Sequence, residues 1–91
     1  MASTKAKKTA RAVVRVQTGV RLEQRLLKVL KGLAEVLDLS LGDLLEGIAL
    51  HALENKPPFS TDTLRRIEDL RRIYELDLRA EHSHRLRERR A

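Results

Sequence analysis

Apolar and polar residues alternate one by one from position 12 to position 22, and then change to a spacing of three and four. In AVVRVQTGVRL, Val14, Val16, Thr18, Val20 and Leu22 share one face, and Val13, Arg15, Gln17, Gly19 and Arg21 share the other. Period two with one polar face, in a stretch rich in β-branched residues, predicts a half-buried β-strand. No other stretch of the chain carries that pattern. A lone strand leaves its backbone N–H and C=O groups without partners, and a second copy of the chain is their simplest source.

From residue 23 the period is helical. Leu22, Leu26, Leu30, Leu33 and Leu37 recur at steps of three and four, with Leu27, Ala34 and Val36 beside them. Arg25, Lys28, Lys31 and Glu35 occupy the opposite face, which predicts an amphipathic helix over 23–37. Gly32 weakens it by roughly 1 kcal/mol relative to alanine. Ser40, followed three residues later by Asp43, has the form of a helix start. A second helix is predicted from about Leu41 to Glu54, with Leu41, Leu44, Leu45, Ile48, Ala49, Ala52 and Leu53 over most of its circumference. A chain this small can hardly bury such a helix alone, so this pattern also points to a dimer core.

Asn55, Lys56, Pro57 and Pro58 stop that helix. Ser60 or Thr61 then caps a third, whose stripe is Leu64, Ile67, Leu70, Tyr74 and Leu78, widened by Ile73 and Leu76. Its polar face carries the pairs Arg65–Asp69, Glu68–Arg72 and Glu75–Arg79. The organisation expected is a flexible basic tail over 1–11, a folded unit over 12–55, and an amphipathic helix with a basic end over 56–91.

Composition narrows the picture. The chain has 91 residues, no cysteine, and only Phe59 and Tyr74 as aromatic residues, so its core is aliphatic and has no disulfide to support it. Such chains commonly complete their cores by oligomerising. The net charge of +6 is uneven. Lys5, Lys7, Lys8, Arg11, Arg15 and Arg21 precede the first acidic residue, Glu23. An acid-free basic leader points to a polyanion, nucleic acid before an anionic membrane surface. No apolar run has the length of a membrane span, and the leader lacks the apolar segment of a signal peptide, so a cytoplasmic location is expected. No nucleophile with a base, no phosphate loop and no metal cluster is visible, which argues against an enzyme and implies no cofactor. His51 reads as a satisfied or rim histidine, and His82 and His84, two apart, would not share a helical face.

Strand, helix, Ser-capped turn and helix, in that order, resemble the ribbon-helix-helix family of DNA-binding repressors over about residues 13–54. The family pattern of an alternating strand ending in V-R-L, stepped leucines, and then L-S-x-S-E-L-I is met by Val20-Arg21-Leu22, Leu26, Leu27, Leu30, Leu33, Ala34 and Leu37, and Leu39-Ser40-Leu41-Gly42-Asp43-Leu44-Leu45. The register from Arg21 to Ser40 needs no gap. Glu23 stands where a proline often starts the first helix, Asp38 where a glycine often precedes L-S, and Gly42 where the second serine stands.

The resemblance implies a mainly α chain with one N-terminal β-strand. It would form an intertwined homodimer through an intermolecular antiparallel two-stranded ribbon, with a third C-terminal helix added. That ribbon would lie in the major groove of double-stranded DNA. The resemblance places Gln17, Gly19 and Arg21 on the groove-facing side, and the alternation adds Arg15. Arginine can pair with two guanine acceptors and glutamine with adenine, whereas Gly19 either permits close approach or marks a bulge. The resemblance also implies phosphate contacts at Ser40, Leu41 and Gly42, where free N–H groups begin the second helix. Lys5, Lys7, Lys8 and Arg11 would add salt-sensitive affinity.

The function expected is a nucleoid-associated, sequence-specific transcriptional regulator, a repressor or plasmid-maintenance protein, with dimers side by side on repeated half-sites. The alternatives are an antitoxin whose third helix covers a toxin, and a protein-interaction dimer that does not bind DNA.

Overall fold

The computed structural model describes residues 10–89 and places three helices in them: α1 (Gln24–Leu37), α2 (Leu41–Leu53) and α3 (Thr61–Ile73), followed by a 3-10 turn at Ala80–His82. α1 is the central element. Both α2 and α3 pack on it, and they do not pack on each other.

Each helix start has a side-chain cap. Glu23 accepts the Leu26 N–H at 2.8 Å, Ser40 the Asp43 N–H at 3.1 Å, and Ser60 the Thr63 N–H at 3.2 Å. Such caps satisfy N–H groups that have no partner inside the helix. The serines match the predicted starts. Glu23 lies where the resemblance would have a proline, and it does the capping with its carboxylate.

α1 ends in a left-handed residue, Asp38 at φ 60°, ψ 42°, whose N–H bonds back to Glu35 O at 3.1 Å. Glycine is the usual residue in this conformation because a side chain is costly there. Asp38 accepts that cost.

The core is small. Leu33, Ala34 and Leu44 are its buried centre, with Leu30, Leu37, Ile48, Phe59, Ile67 and Leu70 packed around them. Val29, outside the predicted stripe, is also buried. Gly32 is explained by close approach: a β-carbon there would lie 3.0 Å from Leu70 Cδ2 and 3.6 Å from Tyr74. The glycine that weakens α1 lets α3 come near it.

Two expectations are corrected. The first is the fold class. Among the described residues there is no β-strand, so the N-terminal strand and the two-stranded ribbon built from it are not present. Residues 10–22 form an exposed arm, and no backbone hydrogen bond among the described residues involves it. Alternation specifies which side chains share a face, but a strand exists only where another backbone supplies the ladder. The single chain supplies none, and the architecture is three helices.

The second correction concerns α3. It ends at Ile73, and Glu75 adopts φ 55°, turning the chain back. Leu76 becomes buried at 6% exposure, and Leu78 lies in the returning segment. The Glu75–Arg79 pair therefore lies outside a helix. Arg65–Asp69 and Glu68–Arg72 do not form among the described residues; each arginine instead pairs with an aspartate three positions back, Arg65 with Asp62 at 2.8 Å and Arg72 with Asp69 at 2.5 Å.

The returning segment is tied down by side chains. Arg25 donates to Glu75 O at 2.8 Å and pairs with Asp77 at 3.2 Å. Arg71 donates to Leu78 O at 3.0 Å. These bonds bring the end of the chain to the start of α1.

Candidate nucleic-acid interface

The arm carries the four candidate base-reading positions, and two of them are engaged within the chain. Arg15 presents its guanidinium edge to Glu46 of α2, with Nε to one carboxylate oxygen at 2.7 Å and a terminal nitrogen to the other at 2.9 Å. Asp43 lies 3.8 Å from the same guanidinium. Arg21 makes the same two-pronged contact with Glu88, its Nε bond being 3.2 Å. Gln17 and Gly19 are exposed, and Gln17 has no side-chain hydrogen bond to the described residues. A β-carbon at Gly19 would meet nothing within 4 Å, so packing within the chain does not require the glycine.

The ion pairs shift their members in the expected directions. The hydrogen bond from Arg15, joined by its charge, holds the Glu46 carboxyl below the ordinary glutamate range against a smaller opposing effect of burial. The Arg15 guanidinium is raised by its hydrogen bond to Glu46 and then by that carboxylate's charge. Arg21 is raised by its hydrogen bond to Glu88. All four side chains are substantially exposed, so these contacts are exchangeable.

Arg15 is thereby brought to the first turn of α2, where the candidate phosphate contacts lie. Ser40 is exposed and its hydroxyl caps Asp43; Leu41 is half-buried and Gly42 exposed. The N–H groups of Leu41 and Gly42 precede the first bond of the helix, Leu44 N–H to Ser40 O at 3.0 Å. One end of α2 thus gathers Arg15, Ser40, Leu41 and Gly42, together with the carboxylates of Asp43 and Glu46. Arg21 sits apart from them, at the start of α1 with Glu88.

The arm also departs from the face assignment. Val14 and Val16 are 93% and 82% exposed, and Val20 is also exposed. The face expected to pack on the helices has nothing to pack on within one chain, while Arg15 turns to α2. Arg11 is exposed; Lys5, Lys7 and Lys8 lie outside the described residues.

Sequence reasoning missed Glu46 and Glu88. Their arginine partners are 31 and 67 positions away, and only Asp43 with Glu46, three apart on the polar face of α2, gave a local signal. Of the histidines, His51 donates from Nδ1 to Gly47 O at 2.7 Å, and His82 accepts the Arg79 N–H at 2.8 Å. Among the described residues, no three His, Asp or Glu side chains converge as a metal site would need, and no helix is long and apolar enough to cross a membrane. Comparison with protein-family models, with curated proteins and with solved structures finds no match for this chain.

Proposed function

We propose that the chain is a transcriptional regulator that binds double-stranded DNA in a sequence-specific manner as a homodimer, working at the nucleoid. The observation that carries this reading is the arm. Residues 10–22 are exposed throughout, contain no acidic residue, and carry Arg11, Arg15, Gln17 and Arg21, with Arg15 beside the N-terminus of α2 and Arg21 at the start of α1. Arg15 and Arg21 already make the two-pronged contact that arginine makes with guanine, with carboxylates in the place of the base. Duplex DNA would take over those forks, Gln17 would supply a further base contact, and Ser40, Leu41 and Gly42 would hold a phosphate.

The homodimer is supported by apolar side chains that one chain leaves in water. Leu50 and Leu53 on α2 are 65% and 83% exposed, alongside the arm valines. Scattered exposed leucines are ordinary, but these lie on the side of the helix away from its buried Leu44, giving α2 a second apolar face that the single chain leaves uncovered. The same surface favours a second reading, a protein-interaction dimer without DNA.

A fluorescence-anisotropy titration separates the two. The protein is titrated against fragments of its own upstream region and against random duplex, each at two salt concentrations. The regulator binds its own fragment more tightly than random duplex, with affinity falling as salt rises. A dimer that binds no duplex at low salt would leave only the second reading.

A further inference from the structure

We infer that the C-terminal segment, residues 83–89, is a second DNA-contacting element that binds backbone phosphates beside the arm through Arg85, Arg87 and Arg89. This inference rests on the DNA-binding reading and extends it to a part of the chain far from the arm in sequence.

Three observations carry it. The first is placement. Glu88 grips Arg21 of the arm through both its oxygens, so the segment lies against the arm's base-reading end. Leu86 lines a groove of ≈ 350 Å³ together with Leu26 of α1, Leu76, Leu78 and His82. The segment is thus seated on the helices by an apolar contact and tied to the arm by an ionic one.

The second observation is charge. Between Ser83 and Glu88 the only acidic residue is Glu88, and it is occupied by Arg21. Arg85, Arg87 and Arg89 are all exposed, and none has an ion-pair partner among the described residues. On α3, Arg65 and Arg72 are each matched by a carboxylate three positions back and Arg71 donates to the Leu78 carbonyl, which leaves Arg66 as the one arginine there without a partner among the described residues. Unmatched arginines on one short segment form a surface that attracts an anion.

The third is chemistry. Guanidinium groups suit phosphate oxygens, which accept paired hydrogen bonds. Arg15 and Arg21 of the arm are held by carboxylates in the free protein, whereas the arginines of the C-terminal segment are available at once. The segment would therefore meet the phosphate backbone first. Glu88 would release Arg21 as the DNA closes on the arm.

The test uses the full chain, a duplex carrying the preferred site and a random duplex. Anisotropy titrations are run over a salt series on the wild type, on R85Q/R87Q/R89Q, and on R65Q/R66Q/R72Q as a charge-matched control on α3. Each phosphate contact contributes roughly 0.9 to the slope of log affinity against log salt, so the C-terminal triple variant is expected to flatten that slope by up to about 2.7. It should weaken binding to specific and random duplex alike, while the α3 control keeps the wild-type slope. E88Q frees Arg21 and should tighten binding several-fold at low salt.

Equal slopes for the wild type and the C-terminal variant, with wild-type binding intact, would overturn this inference and leave the proposed function standing. Equal flattening by both triple variants would also overturn it, since net charge rather than place would then be responsible. A wild type that binds no duplex would overturn both, and RNA or anionic vesicles that bind in its place would identify the polyanion.

Discussion

Two leucines sit at opposite extremes of exposure, and their substitution separates the single chain from an assembly. Leu33 is 2% exposed at the centre of the core, and Leu53 is 83% exposed at the end of α2. Leu33→Ala removes fully packed methyl groups and is expected to cost about 2–5 kcal/mol. Leu53→Ser on an isolated chain changes stability by no more than about 0.5 kcal/mol, as exposed substitutions do. In a homodimer that covers Leu53 the outcome differs. Burying a leucine contributes about 1.5–3 kcal/mol, and two copies per dimer double that to about 3–6 kcal/mol. The dimer dissociation constant would weaken by roughly 10²- to 10⁴-fold. Sedimentation velocity over a hundred-fold concentration range measures that constant directly. Thermal unfolding at two protein concentrations checks it, because a dimer's Tm rises with concentration. A wild type that sediments as a monomer throughout, or a Leu53→Ser variant with an unchanged constant, would refute the reasoning.

Further outcomes follow from the caps, the turn and the arm. Asp38→Gly relieves a left-handed residue and should stabilise by about 0.5–1 kcal/mol after the added freedom of the unfolded chain is discounted, raising Tm by a few degrees in a thermal melt. Glu23→Ala removes the α1 cap and should cost about 1 kcal/mol at pH 7. The Glu23 carboxyl is raised by burial but lowered by more through bonds from the Leu26 and Arg25 N–H groups and the Arg25 side chain, leaving it below the ordinary value. Its contribution is therefore complete above about pH 4.3, the unfolded glutamate value, and is lost as pH falls through the lower folded value. Denaturant midpoints of wild type and Glu23→Ala should converge in that acidic range, and a constant gap would assign the cost to packing. Arg21→Ala should weaken binding to the preferred duplex by roughly 5- to 150-fold with a smaller effect on random duplex. Equal losses on both would make Arg21 a phosphate contact.

The helices were legible because the signals that set them are local. Leucines at steps of three and four place α1 and α2, and Ser40 and Ser60 mark two of the starts. The strand was misread because period two describes side chains, whereas a strand is made by the backbone of a neighbour. The end of α3 was misread because its apolar spacing continues through Tyr74 and Leu78, and nothing in that spacing reveals that Glu75 takes up a left-handed conformation. Arg21 is a candidate through the family resemblance and Arg15 through the alternation, with the chemistry of arginine in agreement. Their carboxylate partners come from α2 and from the far end of the chain, and only the folded arrangement joins them.

The packing of both α2 and α3 on α1 has a consequence for the rate of folding. Residues 38–40 let α1 and α2 pack across a small loop, whereas α3 reaches α1 only across the whole of α2, as Leu70 does where it meets Gly32. A small chain of packed helices folds in the microsecond-to-millisecond range. Dimerisation, by contrast, waits on diffusion and orientation. In a refolding experiment the fast phase would be independent of protein concentration. The slower phase, in which two folded chains meet, would accelerate in proportion to concentration.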